Sequence, residues 1–328
     1  MLGAFFVFAL AVLPGCGPEN EGVAPETNAR TAEVASNPEE PPPNVARAAA
    51  AGIDEASIRT HLARLTGESL ASLGGGAVTI VERGSVDGRR AAAEYMERSF
   101  EEMGIPARTL EFHWGEVPGF NVEATLPGTR GEKHLWVTAH MDSVGNAGAN
   151  DNASGLTLLL MTAKALEHLE LMHTVHFVAY DLEEVGLVGS SRYVGSTVSS
   201  IREQEGERAI IGNLNGDMIG YESGRFDAAI GTCNKAGAID DALLRASKML
   251  DSPIDLREVC LGRSDHEHFW DAGLPALVLT DGAIYDGYPC YHERCDTLDR
   301  LDLSYLRSMI RLTAAATAML AAPEGQRS

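Results

Sequence analysis

Basic residues are scarce in this chain of 328 residues, which carries 26 Lys and Arg against 47 Asp and Glu. The formal net charge of −21 gives a surface that repels nucleic acid and anionic lipid headgroups, so neither is expected as a partner. Beyond the first residues, no segment is apolar and long enough to cross a membrane. The apolar fraction of 45% is ordinary for a globular protein, so the chain can bury a sizeable core.

The first residues form an apolar run of signal-peptide length. The run ends in Leu13-Pro14-Gly15-Cys16, which resembles the lipobox of bacterial lipoproteins, although no Lys or Arg precedes it and proline is unusual beside the glycine. We therefore expect residues 1–16 to be an export signal with Cys16 acylated, with plain secretion or a wrongly assigned start as alternatives. The expected location is the bacterial cell envelope (periplasm or outer membrane) or the medium, with membrane contact only through Cys16.

Residues 17–47 are rich in Pro, Glu, Asn and Ala and include PEEPPPN, a composition that cannot bury a core. This segment is predicted to be a disordered tether. From about residue 48 to residue 323, apolar runs alternate with helical patterns, which predicts a single α/β domain. NVEATLP, HLWVTAH, HTVHFVAYD, RAIIGNLNGD and PALVLTD are typical of strands. Several of them are apolar almost throughout, as in a mostly parallel or mixed sheet covered by helices on both faces.

Cysteine is also scarce, with Cys16, Cys233, Cys260, Cys290 and Cys295 as its only positions. If Cys16 carries lipid, an even number remains, and in an exported protein this indicates disulfides. Cys290 and Cys295 are close enough in the chain to close a short loop. By elimination, Cys233 and Cys260 are predicted to form the other bridge.

Metal-binding residue types follow three of the predicted strands. His140 ends the first, Glu183 and Glu184 follow the second, and Asp217 follows the third. In open α/β sheets, ligands bind outside the carboxyl ends of the strands. Polar residues can simply mark the end of a strand, but three such ends together favour one shared site.

Six motifs, HMDS, GANDNASG, DLEEVGLVGS, NGDMIGY, GRSDHEHF and CYHERCDT, occur in this order along the chain. They resemble those of the co-catalytic zinc aminopeptidases, the M28 peptidases, and in particular the small secreted bacterial members. The resemblance covers residues 48–323. It implies a mixed, largely eight-stranded sheet sandwiched between helices, with two zinc ions bound at the strand ends.

The resemblance also implies the zinc ligands. His140 and Asp217 would hold one ion, Glu184 and His292 the other, and Asp151 would bridge them with its two oxygens. Each ion then has three protein ligands and one open position, as catalytic zinc sites do. A cis peptide bond is implied directly after Asp151.

Other residues receive catalytic roles from the same motifs. Asp142 would accept a hydrogen bond from the second ring nitrogen of His140 and so orient the ring. Glu183 suits the general base, because neighbours on an extended segment point apart and Glu184 is the ligand. Tyr291 would stabilise the oxyanion, although packing against the disulfide is an alternative role, and Arg263 would contact the substrate.

The expected activity is the zinc-dependent removal of residues from peptides with a free amino terminus. The acidic ligands and Glu183, together with Asp142 and Asp181, could hold the ammonium group of the substrate. A carboxypeptidase or dipeptidase of the same fold is the first alternative, with Arg263 as the cation for a terminal carboxylate. A one-zinc glutaminyl cyclase is less expected because both His140 and Asp217 are present, and a non-catalytic binding module would have lost ligands.

Overall fold

The structure is a computed structural model that describes residues 43–322, and these residues belong to one compact unit. Its helices are α1 (Pro43–Ala51), α2 (Glu55–Leu65), α3 (Val86–Glu102), α4 (Ser154–Leu166), α5 (Val188–Tyr193), α6 (Ser199–Glu205), α7 (Ile239–Leu250), α8 (Glu267–Asp271) and α9 (Leu303–Ala321). Its strands are β1 (Ala71–Leu73), β2 (Gly76–Val78), β3 (Ala107–Trp114), β4 (Val117–Leu126), β5 (His134–His140), β6 (Thr174–Tyr180), β7 (Ile210–Gly216), β8 (Asp227–Gly231), β9 (Asp255–Val259) and β10 (Ala276–Asp281). Among residues 43–322, no helix combines the length and hydrophobicity that a membrane span requires.

The predicted signal segment with Cys16, and residues 17–42 of the predicted tether, lie outside the described residues. Residues 43–47 were also assigned to the tether, and this boundary is wrong because they belong to α1. Ala46, Ala49 and Ala50 of α1 are buried, and the helix packs against α9. Small side chains permit this close contact between the two helices. The proline-rich composition just upstream gave no indication of a helix at this position.

Eight strands form one mixed sheet in the order β3-β4-β6-β5-β7-β10-β8-β9. The four central strands β6, β5, β7 and β10 run parallel, and antiparallel β4 and β8 flank them. The predicted mixed, largely eight-stranded sheet is therefore confirmed. Because the central strands are parallel, their carboxyl ends meet at one edge of the sheet, where ligands of open α/β sheets bind.

Helices cover both faces of this sheet. Along β5, Trp136 packs on one face with Tyr180 and Phe269, whereas Val137 and Ala139 face the larger core on the other side. This larger core receives side chains from α1, α4, α7 and α9, and the smaller one from α5 and α8. Burial on both faces explains why the central strands are apolar almost throughout.

Most predicted elements are present. The five predicted strands correspond to β4, β5, β6, β7 and β10. Strands β3, β8 and β9 were not predicted. Both predicted disulfides are formed, with S–S distances of 2.07 Å for Cys233–Cys260 and 2.02 Å for Cys290–Cys295. Cys233 and Cys260 follow the ends of β8 and β9, which pair in parallel, so the bridge joins two neighbouring strand ends.

Candidate active site

Three neighbouring parallel strands bring the predicted ligands to one edge of the sheet. His140 is the last residue of β5, Asp217 follows β7, and the loop after β6 carries Glu183 and Glu184. In the β5–β6 register, His140 lies opposite Tyr180, the last residue of β6. The side chains that follow these strands therefore share one end of the sheet.

Two groups of potential metal ligands meet at Asp151. His140 Nε2 lies 3.0 Å from Asp151 Oδ1 and 3.4 Å from Asp217 Oδ1. On the other side, His292 Nε2 lies 3.3 Å from Asp151 Oδ2 and 3.0 Å from Glu184 Oε2. Within each group the ligand atoms lie within 4.8 Å of one another, close enough to hold a metal ion. Asp151 offers one oxygen to each group.

The donor chemistry of these groups fits divalent cations. Buried oxygens of Glu184 (Oε1) and Asp217 (Oδ1) accept no hydrogen bond within residues 43–322, although buried carboxylate oxygens ordinarily have a partner. Imidazole nitrogen together with carboxylate oxygen is a ligand set that zinc accepts. A cation held between these side chains would supply the partner that both oxygens lack.

Charge is concentrated at this point, and the pKa values reflect it. Burial and the nearby Asp151 carboxylate raise the pKa of Glu184 to about 7. Hydrogen bonds to Asp151 and Glu184 raise the pKa of His292 to about 10. Burial opposes a positive charge on His140, but the carboxylates of Glu183, Asp217 and Asp151 still raise its pKa well above the usual value. The site therefore favours positive charge.

The loop that carries Asp151 is held from two sides. The carboxylate of Asp296 accepts the backbone N–H groups of Asn150 at 2.8 Å and Asp151 at 3.0 Å. The peptide bond between Asp151 and Asn152 is cis, as the resemblance implied. The side chain of Asn152 donates to the Gly216 carbonyl at 2.9 Å and thereby joins this loop to the end of β7.

A buried arginine fixes the segment before Asp151. Arg83 is fully buried, and its guanidinium donates to the carbonyls of Met141 at 2.8 Å, Ala147 at 2.7 Å and Gly148 at 2.8 Å. These bonds span the chain between His140 and the Asp151 loop, so Arg83 sets the distance between two ligand-bearing segments. Nothing in the sequence around Arg83 indicated this role, because these three acceptors are backbone atoms about sixty residues away.

Asp142 has a different role from the predicted one. Its carboxylate Oδ1 lies 3.8 Å from His140 Nδ1, beyond hydrogen-bonding distance. The backbone carbonyl of Asp142 lies nearer to this nitrogen, at 3.2 Å. The Asp142 carboxylate instead accepts the backbone N–H groups of Glu183 at 2.9 Å and Glu184 at 3.1 Å. Asp142 thus positions the loop after β6, and the predicted hydrogen bond from His140 to its carboxylate is not formed.

Glu183 lies beside the proposed ligands, and its carboxylate is not held by a hydrogen bond. It belongs to a group with His140 and Glu184 whose oxygen and nitrogen atoms lie within 4.8 Å of one another. Its carboxylate accepts no hydrogen bond from the described part of the chain. Burial, opposed by the charge of His140, raises the pKa of Glu183 well above its usual value. This placement leaves Glu183 free to exchange a proton with a substrate or water.

His292 lies in the loop that the Cys290–Cys295 disulfide closes. Its φ of 58° is in the left-handed region, which non-glycine residues enter rarely. Leu182 and Met218, which adjoin the site, share this feature with φ of 58° and 52°. Asn146 donates to the Glu293 carbonyl at 3.0 Å and joins this loop to the Asp151 segment. The strained turn directs the ring of His292 toward Asp151.

Tyr291 stands at the edge of the ligand cluster. Its ring centroid lies 3.9 Å from that of His292, and it also packs with Cys290 and Cys295 in an apolar cluster, as the alternative role required. Burial, with Asp151 and Glu184 nearby, raises the pKa of Tyr291 to about 12. The hydroxyl therefore keeps its proton at neutral pH and can donate a hydrogen bond.

Two charged residues are engaged elsewhere. Asp181, which we expected among the acidic groups of the site, forms a buried ion pair with Arg89 at 2.8 Å and also accepts the Phe120 N–H at 2.9 Å. That expectation is wrong, because these contacts assign Asp181 to the packing of α3 on the sheet.

Arg263 is exposed and pairs with Asp286 at 3.1 Å, with its guanidinium 5.6 Å from the Tyr285 ring. A substrate carboxylate would have to displace Asp286.

Comparison with known proteins identifies relatives over most of the described chain. The profile of Peptidase family M28 matches residues 121–317. The chain is 29% identical over 267 residues to "Leupeptin-inactivating enzyme 1" of Streptomyces exfoliatus, covering 75% of this chain and 57% of that protein. It is 30% identical over 243 residues to "Aminopeptidase YwaD" of Bacillus subtilis, covering 66% of this chain and 52% of that protein. The chain thus spans little more than half the length of these relatives.

Solved structures share the fold at low sequence identity. An aminopeptidase from Aneurinibacillus sp. strain AM-1 aligns with a TM-score of 0.71 at 17% identity, over 85% of this chain and 96% of that one. BSAP, a zinc aminopeptidase from Bacillus subtilis, aligns with a TM-score of 0.58 at 24% identity, over 65% and 53% of the two chains. A Fimbriiglobus ruber glutaminyl cyclase aligns with a TM-score of 0.67 at 18% identity, over 81% and 95%. The matched profile, together with the ligand cluster at the strand ends, places this chain in peptidase family M28.

Proposed function

We propose that this protein is a two-zinc aminopeptidase that removes residues from the free amino ends of peptides. The observation that carries the proposal is the position of Asp151, whose oxygens lie 3.0 Å from His140 and 3.3 Å from His292. A carboxylate shared between two histidine-containing groups is the arrangement that a bridged metal pair needs. The names of the relatives and of the BSAP structure agree with zinc and with an aminopeptidase.

The residues that would hold the ions are divided between the two groups. His140 and Asp217 would hold one zinc, and Glu184 and His292 the other, with Asp151 bridging them. When bound, the ions would polarise the scissile carbonyl and lower the pKa of a water molecule, as in other catalytic zinc sites.

Glu183 and Tyr291 would move and hold protons in the reaction. The uncommitted carboxylate of Glu183 would take a proton from the attacking water and later deliver it to the amine that leaves. Asp142 holds Glu183 in place through the backbone bond of 2.9 Å. The protonated hydroxyl of Tyr291 would donate a hydrogen bond to the oxygen that becomes negatively charged.

The charge of the site favours an amino end over a carboxyl end. Glu183, Glu184, Asp151 and Asp217 carry up to four negative charges, which two zinc ions would balance. Glu183 is not a proposed ligand, so its carboxylate would remain available to the ammonium group of an amino end. Arg263, the cation that the motifs offer for a terminal carboxylate, is paired with Asp286. A carboxypeptidase or dipeptidase would need another cation. Arg192, which has no carboxylate within 4.0 Å among residues 43–322, is the candidate that the amidated peptide tests.

Glutaminyl cyclases share this fold and are the second candidate, supported by the similarity to the Fimbriiglobus ruber structure. Two complete groups of ligands favour a peptidase, because a cyclase of this fold is expected to use one zinc. His140 and Asp217 form one group with Asp151 here, and this group would hold the second ion.

The test is a panel of one peptide in three forms: free at both ends, acetylated at the amino end, and amidated at the carboxyl end. We expect the free and amidated forms to be cleaved from the amino end one residue at a time. The acetylated form should be cleaved slower by about tenfold or more, because it lacks the ammonium group. Equal cleavage of the acetylated form, with resistance of the amidated form, would identify a carboxypeptidase. Conversion of an amino-terminal glutamine to pyroglutamate, with release of ammonia and no shortening of the chain, would identify a cyclase.

We also propose that the protein is exported and anchored through an acylated Cys16, since Leu13-Pro14-Gly15-Cys16 resembles a lipobox. Labelled palmitate should be incorporated into the full chain and not into a Cys16→Ser variant. Labelling of both forms, or of neither, would refute the anchor.

A further inference from the structure

A pocket of about 610 Å³ lies beside the candidate active site. Gly186 and Val188 line it directly after the Glu183–Glu184 segment, and Phe112 and Trp114 of β3 form another wall. Its volume is within the range of about 300–1,000 Å³ that is usual for ligand pockets. None of the proposed zinc ligands lines it.

The hairpin of β3 and β4 brings Trp114 to the active-site edge of the sheet. Strand β4 begins at Val117, but its pairing with β6 begins only at Val122, opposite Ala179. Residues 117–120 therefore extend past the carboxyl end of β6, where the catalytic loop begins. Trp114 pairs with Val117 at the tip of this extension. The indole thus stands at the same edge as the ligands.

The surface around this pocket exposes large apolar side chains. Trp114 is 46% exposed, and Val185, directly after Glu184, is 48% exposed. Phe112 is fixed in the wall, because its ring covers Gly119 so closely that a Cβ there would lie 2.2 Å from it. Exposed apolar groups gathered beside a polar site are typical of binding surfaces, and tryptophan is often a main contributor.

The two sides of the active site differ in shape. On the β10 side, Met218, Tyr285 and Tyr288 form a buried apolar cluster next to Tyr291. On the β4 side, the pocket opens to solvent, and the exposed side chains of Ser191 and Arg192 offer donors for peptide carbonyls. No carboxylate of residues 43–322 lies within 4.0 Å of the Arg192 guanidinium. The β10 side is packed closed by this cluster, whereas the open side leaves room for a peptide chain that continues beyond the first residue.

We propose that this pocket binds the part of the peptide beyond the scissile bond, with Trp114 in contact with an apolar side chain of the residue that follows the cut. This inference rests on the proposed aminopeptidase function and specifies its substrates: peptides with a bulky apolar second residue are preferred to those with glycine there. Trp114 is then a specificity-determining residue.

The experiment compares kcat/KM for Leu-Phe-Gly-amide and Leu-Gly-Gly-amide with zinc-loaded enzyme. We expect wild type to favour the phenylalanine peptide by about tenfold, equivalent to ~1.4 kcal/mol. Trp114→Ala should lose this preference through a higher KM, and Trp114→Phe should keep most of it. Leu70→Ala is the matched control, since Leu70 is exposed by 59% but lies outside the pocket, and it should keep the full preference.

A wild-type preference that survives in Trp114→Ala, or equal kcat/KM for both peptides, would overturn this assignment while leaving the aminopeptidase intact. If zinc-loaded wild type cleaves neither peptide, the proposed function fails and the pocket assignment fails with it. Thermal unfolding of each variant checks that the exposed substitutions leave the fold unchanged.

Discussion

Asp142 offers a sharp test of how the catalytic loop is positioned. Its buried carboxylate accepts two backbone N–H groups, from Glu183 at 2.9 Å and from Glu184 at 3.1 Å. In Asp142→Asn, one oxygen remains to accept one of these bonds, while the amide group faces the other N–H with hydrogens of its own. The loop must then shift, and it carries both the proposed base and a proposed zinc ligand.

The magnitude follows from the bond that is lost. A hydrogen bond to a charged group contributes about 1.5–3 kcal/mol, and an unpaired buried donor costs a similar amount. If this energy positions Glu183 for proton transfer, its loss lowers kcat by about 10- to 100-fold. The effect should appear in kcat more than in KM, since Asp142 does not touch the peptide.

The assay measures kcat, KM and zinc content of Asp142→Asn. Asp302→Asn is the matched control, because Asp302 also accepts two backbone N–H groups, from Ser304 and Tyr305 at 2.9 Å, at the start of α9. The control should keep wild-type kcat. Unchanged kcat in Asp142→Asn would refute the positioning role. Loss of zinc with normal turnover per loaded molecule would instead favour the contact with His140 that the sequence had suggested.

Three further outcomes are expected. Glu183→Gln should keep its zinc and lose about 10²–10⁴-fold in kcat, the usual contribution of a general base. If the variant instead lost zinc but kept normal turnover per zinc-loaded molecule, Glu183 would be the zinc ligand and Glu184 the base. Replacing Cys290 and Cys295 by serine should lower kcat/KM while the far-UV circular dichroism and its cooperative melting persist, and unchanged kcat/KM would show that the loop needs no bridge. Burial lowers the pKa of His61 from 6.5 to about 4. The contribution of the neutral ring to the free energy of unfolding is therefore complete above pH 6.5 and is lost as the pH falls toward 4. Urea unfolding should therefore show a loss of up to about 3 kcal/mol between pH 7 and pH 4 that His61→Gln removes, and an unchanged loss in that variant would rule out His61 as its source.

The central part of the fold could be predicted because its strands carry a strong signal. Strands β5, β6 and β10 are buried throughout, and their largely apolar runs are visible without any alignment. Two of the missed strands, β3 and β9, lack such runs, whereas β8 is buried but only five residues long. The edge strand β3 mixes charged residues with half-buried ones, and β9 at the other edge is mostly exposed. Edge strands carry charge to prevent aggregation, so their sequences resemble loops.

The ligands could be predicted because their residue types and positions at strand ends are local features. The contacts that hold the ligand-bearing segments in place could not be predicted, because they join distant parts of the chain. The Asp296 carboxylate accepts the Asp151 N–H across 145 positions, and Arg83 binds backbone carbonyls that no residue type reveals. Asp181 shows the converse error, since its position after β6 resembles that of a ligand, yet Arg89 of α3 pairs with it.

The most direct test of the central claim is a zinc titration of chelator-stripped enzyme with a free amino-terminal peptide as substrate. Bound zinc is counted by elemental analysis at each step, for wild type and for Asp151→Asn. We predict that wild-type activity reaches its maximum at two zinc ions per chain, because Asp151 joins two groups of ligands. Asp151→Asn should bind the second ion more weakly and lose most of its activity. Full wild-type activity with a single tightly bound zinc, or with none, would contradict the account.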